Sequence, residues 1–355
     1  MTPAKLLWRG WFGAFAMGCI ASLAMAQSSS VQPPWQQQAI AGAFSPKRSF
    51  TQVDRGYLVS FRRVITGGPA EDTIHWDSLT AQGHGEFPFW IKGASGIWLN
   101  DVKVTPDGDF LVAGVWGQSG KSSVNNFLSL VDRTGAVLKT KDLGSYEAER
   151  VCASNDGNVW TLGEDDGINY NMLRKYSSAG EVLASYLNRA SLLSVAVFDL
   201  SAHNHFVSKP RPQSSPPGRT FLRCGDEGVG VYIGPVRTWF QVPLVGGGAQ
   251  SWHVNPPVGS TVMTGILLMG SNEVYASFSA GWARGKTTKP HAPQYGLYLL
   301  DLSGQTPVWD PVPGTVSPSG RPFERLLGGD GSGFVYMGVG DTSKDGTMLL
   351  SWIAR

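Results

Sequence analysis

A chain of 355 residues carries 29 Lys+Arg against 27 Asp+Glu, a formal net charge of +2, with 16% of its residues charged, 45 glycines and 22 prolines. So small and scattered a charge excludes electrostatic capture of nucleic acid or of an anionic surface. A turn-rich composition without capped amphipathic helical periods excludes a helical domain and points to an all-β fold.

In chain order, Lys5 and Arg9 precede an apolar run from Trp11 to Leu23 that ends in Ala24-Met25-Ala26. This is the pattern of a secretory signal, and its apolar core is shorter than the about 20 residues that a membrane span needs. Residues 1–26 are expected to be the signal peptide, 27–35 a flexible mature N-terminus, and 36–355 a single domain. Gly18-Cys19 offers a lipoprotein-type alternative, although Ala16 is a poor residue three places before such a cysteine. The mature protein is expected to be exported, periplasmic or secreted, to lack a transmembrane segment and to be monomeric.

LNDVKVTPDGDFLVAGVW, Leu99 to Trp116, sets apolar-alternating runs on either side of Pro106-Asp107-Gly108, and VCASNDGNVWTLGE repeats it about 50 residues on, with Asp156-Gly157 at the turn. Looser copies fall around Gly56, Gly228, Asn272 and Gly331, which makes six turns. A second landmark follows the better copies at Gly83, Gly135, Gly180 and Gly304, so each period holds two hairpins. Four short strands per period describe a β-propeller blade; one such sheet cannot cover both of its faces, so blades stack and the ring closes. In the second blade, strands are predicted at Val102–Thr105, Phe110–Val115, Phe127–Asp132 and Ala136–Lys141. The last repeat supplies strands near Leu326 and Val335 and at Met348–Ile353, and its outer strand is expected from the N-terminal segment Gln38–Phe44, which would latch the ring. The fold class is all-β, a β-propeller of six four-stranded blades. The wide interval from Gly157 to Gly228 reads as a loop insertion at 202–219, with a degenerate seventh blade as the alternative. A second long loop, at 281–294, carries Trp282 and His291.

Polar groups that precede inner strands line the mouth of the central channel in such a ring: Asn100 and Asp101, then Glu147, Glu149 and Arg150, then Arg219, then Arg321, Glu324 and Arg325. Of these, Asn100, Asp101, Glu149, Arg150, Glu324 and Arg325 are expected to converge as a binding site, with Trp282 and His291 as a second site on the loop. Carboxylates from several blades would suit calcium or magnesium. The equal supply of arginines suits an ion-pair ring or an anionic ligand, so no cofactor is expected. Cys152 and Cys224 follow the signal, and a bridge between them or two buried free thiols are alternatives. His203 and His205 lack further metal ligands in the sequence, Gly246-Gly247-Gly248 is not followed by a helix start, and neither Gly-x-Ser-x-Gly nor His-Glu-x-x-His occurs. Trp116, Trp160 and Trp309 stand at strand positions where blade-to-blade packing employs them.

LNDVKVTPDGDFLVAG resembles the Asn-Asp followed by a Pro-x-Gly turn in six-bladed propellers of the gluconolactonase and regucalcin type, and the general rhythm is similar to that of NHL-repeat propellers. That resemblance implies divalent-metal-dependent lactone hydrolysis, with Asn100 as a substrate-side polar group near the metal and Asp101 beside it. It covers one blade of the ring; the family's Glu-Gly-Pro start has no counterpart in SFTQVDRGYLV, and its Asn-Gly inner-strand motif is absent where this chain has ERVCASNDG. The expected function is therefore an exported propeller acting as a binding module that recognises a protein or carbohydrate partner through one face, with the question of catalysis left open. The alternative is a lactonase-like metal-dependent hydrolase or lyase at the channel mouth.

Overall fold

The computed structural model describes residues 37–40, 50–61, 72–80, 83–118, 124–165, 169–188, 220–257, 262–279, 296–313, 315, 323–338 and 348–355. All of these fall in the second of two units, Met1–Ser30 and Val31–Arg355. The expected signal and mature N-terminus at 1–35, Cys19, the loops at 202–219 and 281–294 with Trp282 and His291, and His203, His205, Arg219 and Arg321 lie outside the described residues.

The turns that the sequence advertises close hairpins. At Thr105–Asp109 the Gly108 amide donates to the Thr105 carbonyl at 3.0 Å and the Asp109 amide donates to Thr105 Oγ1 at 3.1 Å. Gly108 takes φ +84, a left-handed conformation that a side chain would strain, and Gly157 repeats the geometry at φ +77. Between such turns, β-branched and aromatic residues in a two-residue period form antiparallel strands.

After a short strand β1 (Gln37–Ile40), the strands come in consecutive sets. Blade one holds β2 (Phe50–Asp54), β3 (Tyr57–Phe61), β4 (Asp72–Ser78) and β5 (His84–Phe89). Blade two holds β6 (Ala94–Val104), β7 (Phe110–Gln118), β8 (Val124–Val131) and β9 (Val137–Gly144). Blade three holds β10 (Tyr146–Ala153), β11 (Val159–Asp165), β12 (Asn169–Tyr176) and β13 (Val182–Tyr186). Blade four holds β14 (Thr220–Cys224), β15 (Gly228–Ile233), β16 (Thr238–Pro243) and β17 (Gln250–His253). Blade five holds β18 (Val262–Met269), β19 (Glu273–Ser279), β20 (Gly296–Asp301) and β21 (Trp309–Pro311). Blade six holds β22 (Phe323–Asp330), β23 (Gly333–Gly338) and β24 (Met348–Ala354), with β1 as its outer strand.

Neighbouring inner strands touch in turn, β6 with β10, β10 with β14, β14 with β18, β18 with β22 and β22 with β2, while β3 packs on β6. The result is a closed six-bladed β-propeller, and the alternative of a seventh blade is not realised among the described residues. Closure is by the expected latch: Gln37 pairs with Ser351 and Ile40 with Met348. Blade faces bury against one another through large side chains, as where Phe89 of blade one stacks on Phe127 of blade two at 5.5 Å. Trp160 is buried and stacks on Tyr186 at 6.0 Å, and Phe278 meets Trp309 edge-on at 5.1 Å, so these tryptophans serve packing. Each such side chain withdrawn from water contributes about 1.5–3 kcal/mol.

Each inner strand runs toward one end of the ring, which carries the turns from first to second and third to fourth strands; we call it the turn end. Connections from second to third strands and between blades leave from the opposite, crossover end. The four strands of blade two are the predicted ones with bounds shifted by up to three residues in β7, β8 and β9 and by more in β6. β6 begins at Ala94, eight residues before the predicted start at Val102, because Asn100, Asp101 and Lys103 interrupt the apolar alternation yet are themselves buried.

Candidate functional site

The inner strands carry a recurring irregularity. The β6–β7 ladder pairs Leu99 with Gly114 and then Asp101 with Ala113, skipping Asn100; the β10–β11 ladder pairs Ala148 with Gly163 and then Arg150 with Leu162, skipping Glu149. Thr264 in β18 and Glu324 in β22 are skipped in the same way. One extra polar residue thus bulges from each of four inner strands, which re-aims it out of the ladder. At two of these bulges the opposing residue is glycine for lack of space: a Cβ on Gly163 would lie 1.8 Å from the Glu147 carbonyl oxygen, and one on Gly114 2.1 Å from that of Trp98.

These polar residues sew the blades together. Asn100 is fully buried, and its Nδ2 donates to Glu147 Oε1 and to the Ala148 carbonyl, both at 3.1 Å, in the next blade. Asp101 accepts from its neighbour Val102 N at 3.0 Å and, through its other oxygen, from Val151 N of blade three at 3.1 Å. Asp54 of blade one accepts from Val104 N of blade two at 2.8 Å. Gln52 donates to the Val102 carbonyl and accepts from Lys103 Nζ. Farther round, Arg223 Nε donates to the Ile266 carbonyl at 2.6 Å, and Ser277 Oγ accepts from Leu326 N at 2.8 Å. Blades three and four are joined covalently: Cys152 of β10 and Cys224 of β14 form a disulfide with their Cα atoms 5.7 Å apart, which decides between the two readings of these cysteines.

Lys103 and Arg223, on two inner strands, both feel the charges of Asp54, Asp101 and Arg150, and Lys103 feels Arg223 as well, so charged groups from four inner strands lie near one another. Side chains from four strands can meet in this way only near the axis. Lys103 is 4% exposed, and burial first, then the Arg223 guanidinium, brings its ammonium down to about 8 against the opposing pull of Asp101 and Asp54. Burial also lowers Arg223. At the turn end Arg55, held at φ +47 in the first turn of blade one, reaches past blade two to donate to the Ala153 carbonyl of blade three at 2.8 Å.

Several sequence expectations are corrected here. Asn100, Asp101, Glu149 and Arg150 do not precede the inner strands at an open mouth; they lie within β6 and β10, and Asn100, Asp101 and Glu149 are buried. The reason is the bulge, which lets a polar residue sit inside a strand. Asn100 and Asp101 are brought onto blade three. Arg325 is half-buried in blade six, and Glu324 occupies the bulge of the same strand, its side chain lying outside the described residues. Gln52, Asp54, Arg55, Lys103 and Arg223 were missed. The available signal was the spacing of Gln52 with Asp54 and of Asp101 with Lys103, two apart on one side of successive inner strands.

The metal that the lactonase resemblance implies does not fit these residues. Both oxygens of Asp101 accept backbone amides, and Lys103, Arg150 and Arg223 crowd the position where a hard cation would require six or so oxygen ligands.

A second feature lies between blades two and three at the turn end, a cleft of about 280 Å³. Its floor is apolar, with Leu111, Leu128, Ala153 and Val159, and its rim carries Lys141 and Asp107. Lys139 spans the cleft edge, donating to the Ser178 carbonyl at 3.3 Å and to that of Ala179. The outer strands of these two blades begin with exposed apolar residues, Val137 (40% exposed) and Leu138 (54%) in blade two, Val182 and Leu183 (both 53%) in blade three.

No protein-family model matches the chain, and no curated protein matches it. Among solved structures it is similar to the acylaminoacyl peptidase of Pyrococcus horikoshii, at 9% identity and TM-score 0.44, over 87% of this chain and 46% of that one. It is also similar to the β-propeller domain of the Trilobed protease from Pyrococcus furiosus, at 11% identity and TM-score 0.43 over 89% and 85% of the two chains. A third is the major Malassezia sympodialis allergen Mala s 1, at 11% identity and TM-score 0.43 over 90% and 96%. The chain spans about half the length of the first of these.

Proposed function

We propose that this propeller is an exported binding module that takes an extended protein segment at its turn end, across the cleft between blades two and three. The observation that carries the reading is the cleft itself, with its apolar floor of Leu111, Leu128, Ala153 and Val159 and its charged rim. Scattered surface apolar residues are ordinary; an apolar cleft with both charge signs on its rim is a recognition feature. A protein segment suits it better than carbohydrate, because the floor is aliphatic and Tyr176, its one aromatic wall, is 1% exposed and offers no open ring face. The engagement of Asp54 and Asp101 by backbone amides supports a structural rather than a hydrolytic use of the axis. The Cys152–Cys224 bridge supports export to an oxidising compartment.

The test is peptide display against the protein. Enriched peptides should lose binding to Ser178→Trp, which fills the cleft from its exposed rim, and keep it to Ser251→Trp on blade four. Binding indifferent to the first substitution, or turnover of lactones and esters that survives it, would overturn the proposal.

A further inference from the structure

Charge is sorted by sign along the cleft between blades two and three. The cleft crosses both blades from inner to outer strands, with Asp107 and Asp109 of the β6–β7 turn at its inner end and Lys139 and Lys141 of β9 at its outer end. Lys139 pairs with Leu130 and Lys141 with Leu128 across the β8–β9 ladder, which puts both lysines on the blade face that lines the cleft. Lys139 is taken up by the Ser178 and Ala179 carbonyls. Lys141 is half-buried, with its stem over Gly180, where a Cβ would come 3.3 Å from Lys141 Cδ, and its ammonium has no ion-pair partner among the described residues. Neither Asp107 nor Asp109 has one either. The charges around the inner end leave it acidic. Burial first, then Asp132 and Asp107, raise the Asp109 carboxyl against the pull of Arg133, and Asp226 stands 2.8 Å from Asn155 on the facing wall. Arg133 and Arg55 are the cations there, and they donate to the Gly108 and Ala153 carbonyls.

We propose, resting on the reading that this cleft takes an extended protein segment, that the segment it selects carries a basic, an apolar and an acidic residue at alternate positions. The Lys or Arg lies toward Asp107 and Asp109, the apolar side chain on the floor of Leu111 and Leu128, and the Asp or Glu at Lys141. The dimensions agree. From the β6–β7 turn to β9 is two to three strand spacings, about 10–14 Å, and the first and fifth residues of an extended chain stand about 13 Å apart with side chains on one face. A segment with like charges at both ends would gain at one end of the cleft and be repelled at the other, so selection works by exclusion as well as attraction. The side chains set the order of charge along the cleft and leave the chain direction free.

Fluorescence polarisation with labelled, capped peptides tests the proposal. The set is Lys-Ser-Leu-Ser-Glu and its reversal Glu-Ser-Leu-Ser-Lys, with Lys-Ser-Leu-Ser-Lys, Glu-Ser-Leu-Ser-Glu and Gln-Ser-Leu-Ser-Gln as comparisons. One of the first two should bind about tenfold or more tighter than the other three. Lys141→Glu should transfer the preference to the doubly basic peptide and Asp107→Lys to the doubly acidic one. Asp107 is exposed and Lys141 makes no ion pair within the fold, so both variants should fold. A neutral peptide bound as tightly as the mixed pair, or a mixed-charge preference untouched by both substitutions, would overturn the charge order. No saturable binding by any of the five would overturn it as well. Display-enriched peptides that still bind and are lost in Ser178→Trp would show that the charge order alone has failed and the docking reading has not.

Discussion

Breaking the Cys152–Cys224 bridge should lower the stability of the whole ring by an amount that its position sets. The bridge closes a loop spanning a sequence separation of 72 residues, and chain-entropy scaling for a loop of that length gives about 4 kcal/mol. Unfolding entropy of about 2.1 cal/mol/K per residue, taken over about 320 residues, is roughly 0.7 kcal/mol/K, so the melting temperature should fall by about 6 °C. The comparison is between oxidised protein and the same protein reduced and alkylated, with Cys152→Ala/Cys224→Ala alongside. Cys152 is 5% exposed, so the group added by alkylation overpacks its site and the alkylated protein should lose more than the alanine variant, which isolates the loss of the bridge. Scanning calorimetry gives the shift, and intact mass before and after alkylation under denaturing conditions counts the thiols. Two alkylated cysteines in unreduced protein, or melting points within 1 °C of each other, would refute the reasoning.

Asp101→Ala should cost about 3–5 kcal/mol in denaturant unfolding, since it orphans the Val102 and Val151 amides and removes a charge that offsets Lys103 and Arg223, while peptide binding at the cleft stays unchanged. Gly163→Ala should destabilise by about 1–3 kcal/mol or more, because its Cβ would meet the Glu147 carbonyl at 1.8 Å; Gly157→Ala, in open space at φ +77, should cost only about 1 kcal/mol of backbone strain. Lys103 has a folded pKa of about 8 against an ordinary 10.5, so the unfolded chain binds the extra proton between those values and stability should rise with pH across that window. The gain relative to Lys103→Gln is roughly 3 kcal/mol. A flat difference between the two pH profiles would show that Lys103 is not held in the charged form at a cost.

The architecture was legible because each blade announces itself locally. Gly108 and Gly157 sit where a three-residue hairpin needs a left-handed residue, and the flanking runs alternate with the strand period. Even the latch could be read, since the last repeat ends at its third strand and a ring must close. The axis was legible only in part. Asn100, Asp101 and Lys103 look like a polar break before a strand, and only the ladder of β6 with β7, which steps over Asn100, shows that the strand runs through them. Arg55 and Arg223 act across blades that are distant in sequence, and nothing in their immediate neighbours announces the carbonyls that they reach.

The pairing of β1 with β24 has a consequence for how the molecule is made. Gln37–Ile40 emerges early in synthesis, yet its partner at Met348–Ala354 follows about 310 residues later. Blades one to five can form from their own neighbourhoods as they appear, but the ring stays an open arc until β24 arrives, and β1 must then be found by it. Loop closure over such a span grows only slowly with length, about 0.6 kcal/mol per doubling, so the step is slow to reach rather than costly once reached. The four-residue latch is also where the finished ring should part first, with the amides of this pair exchanging ahead of those in the central strands.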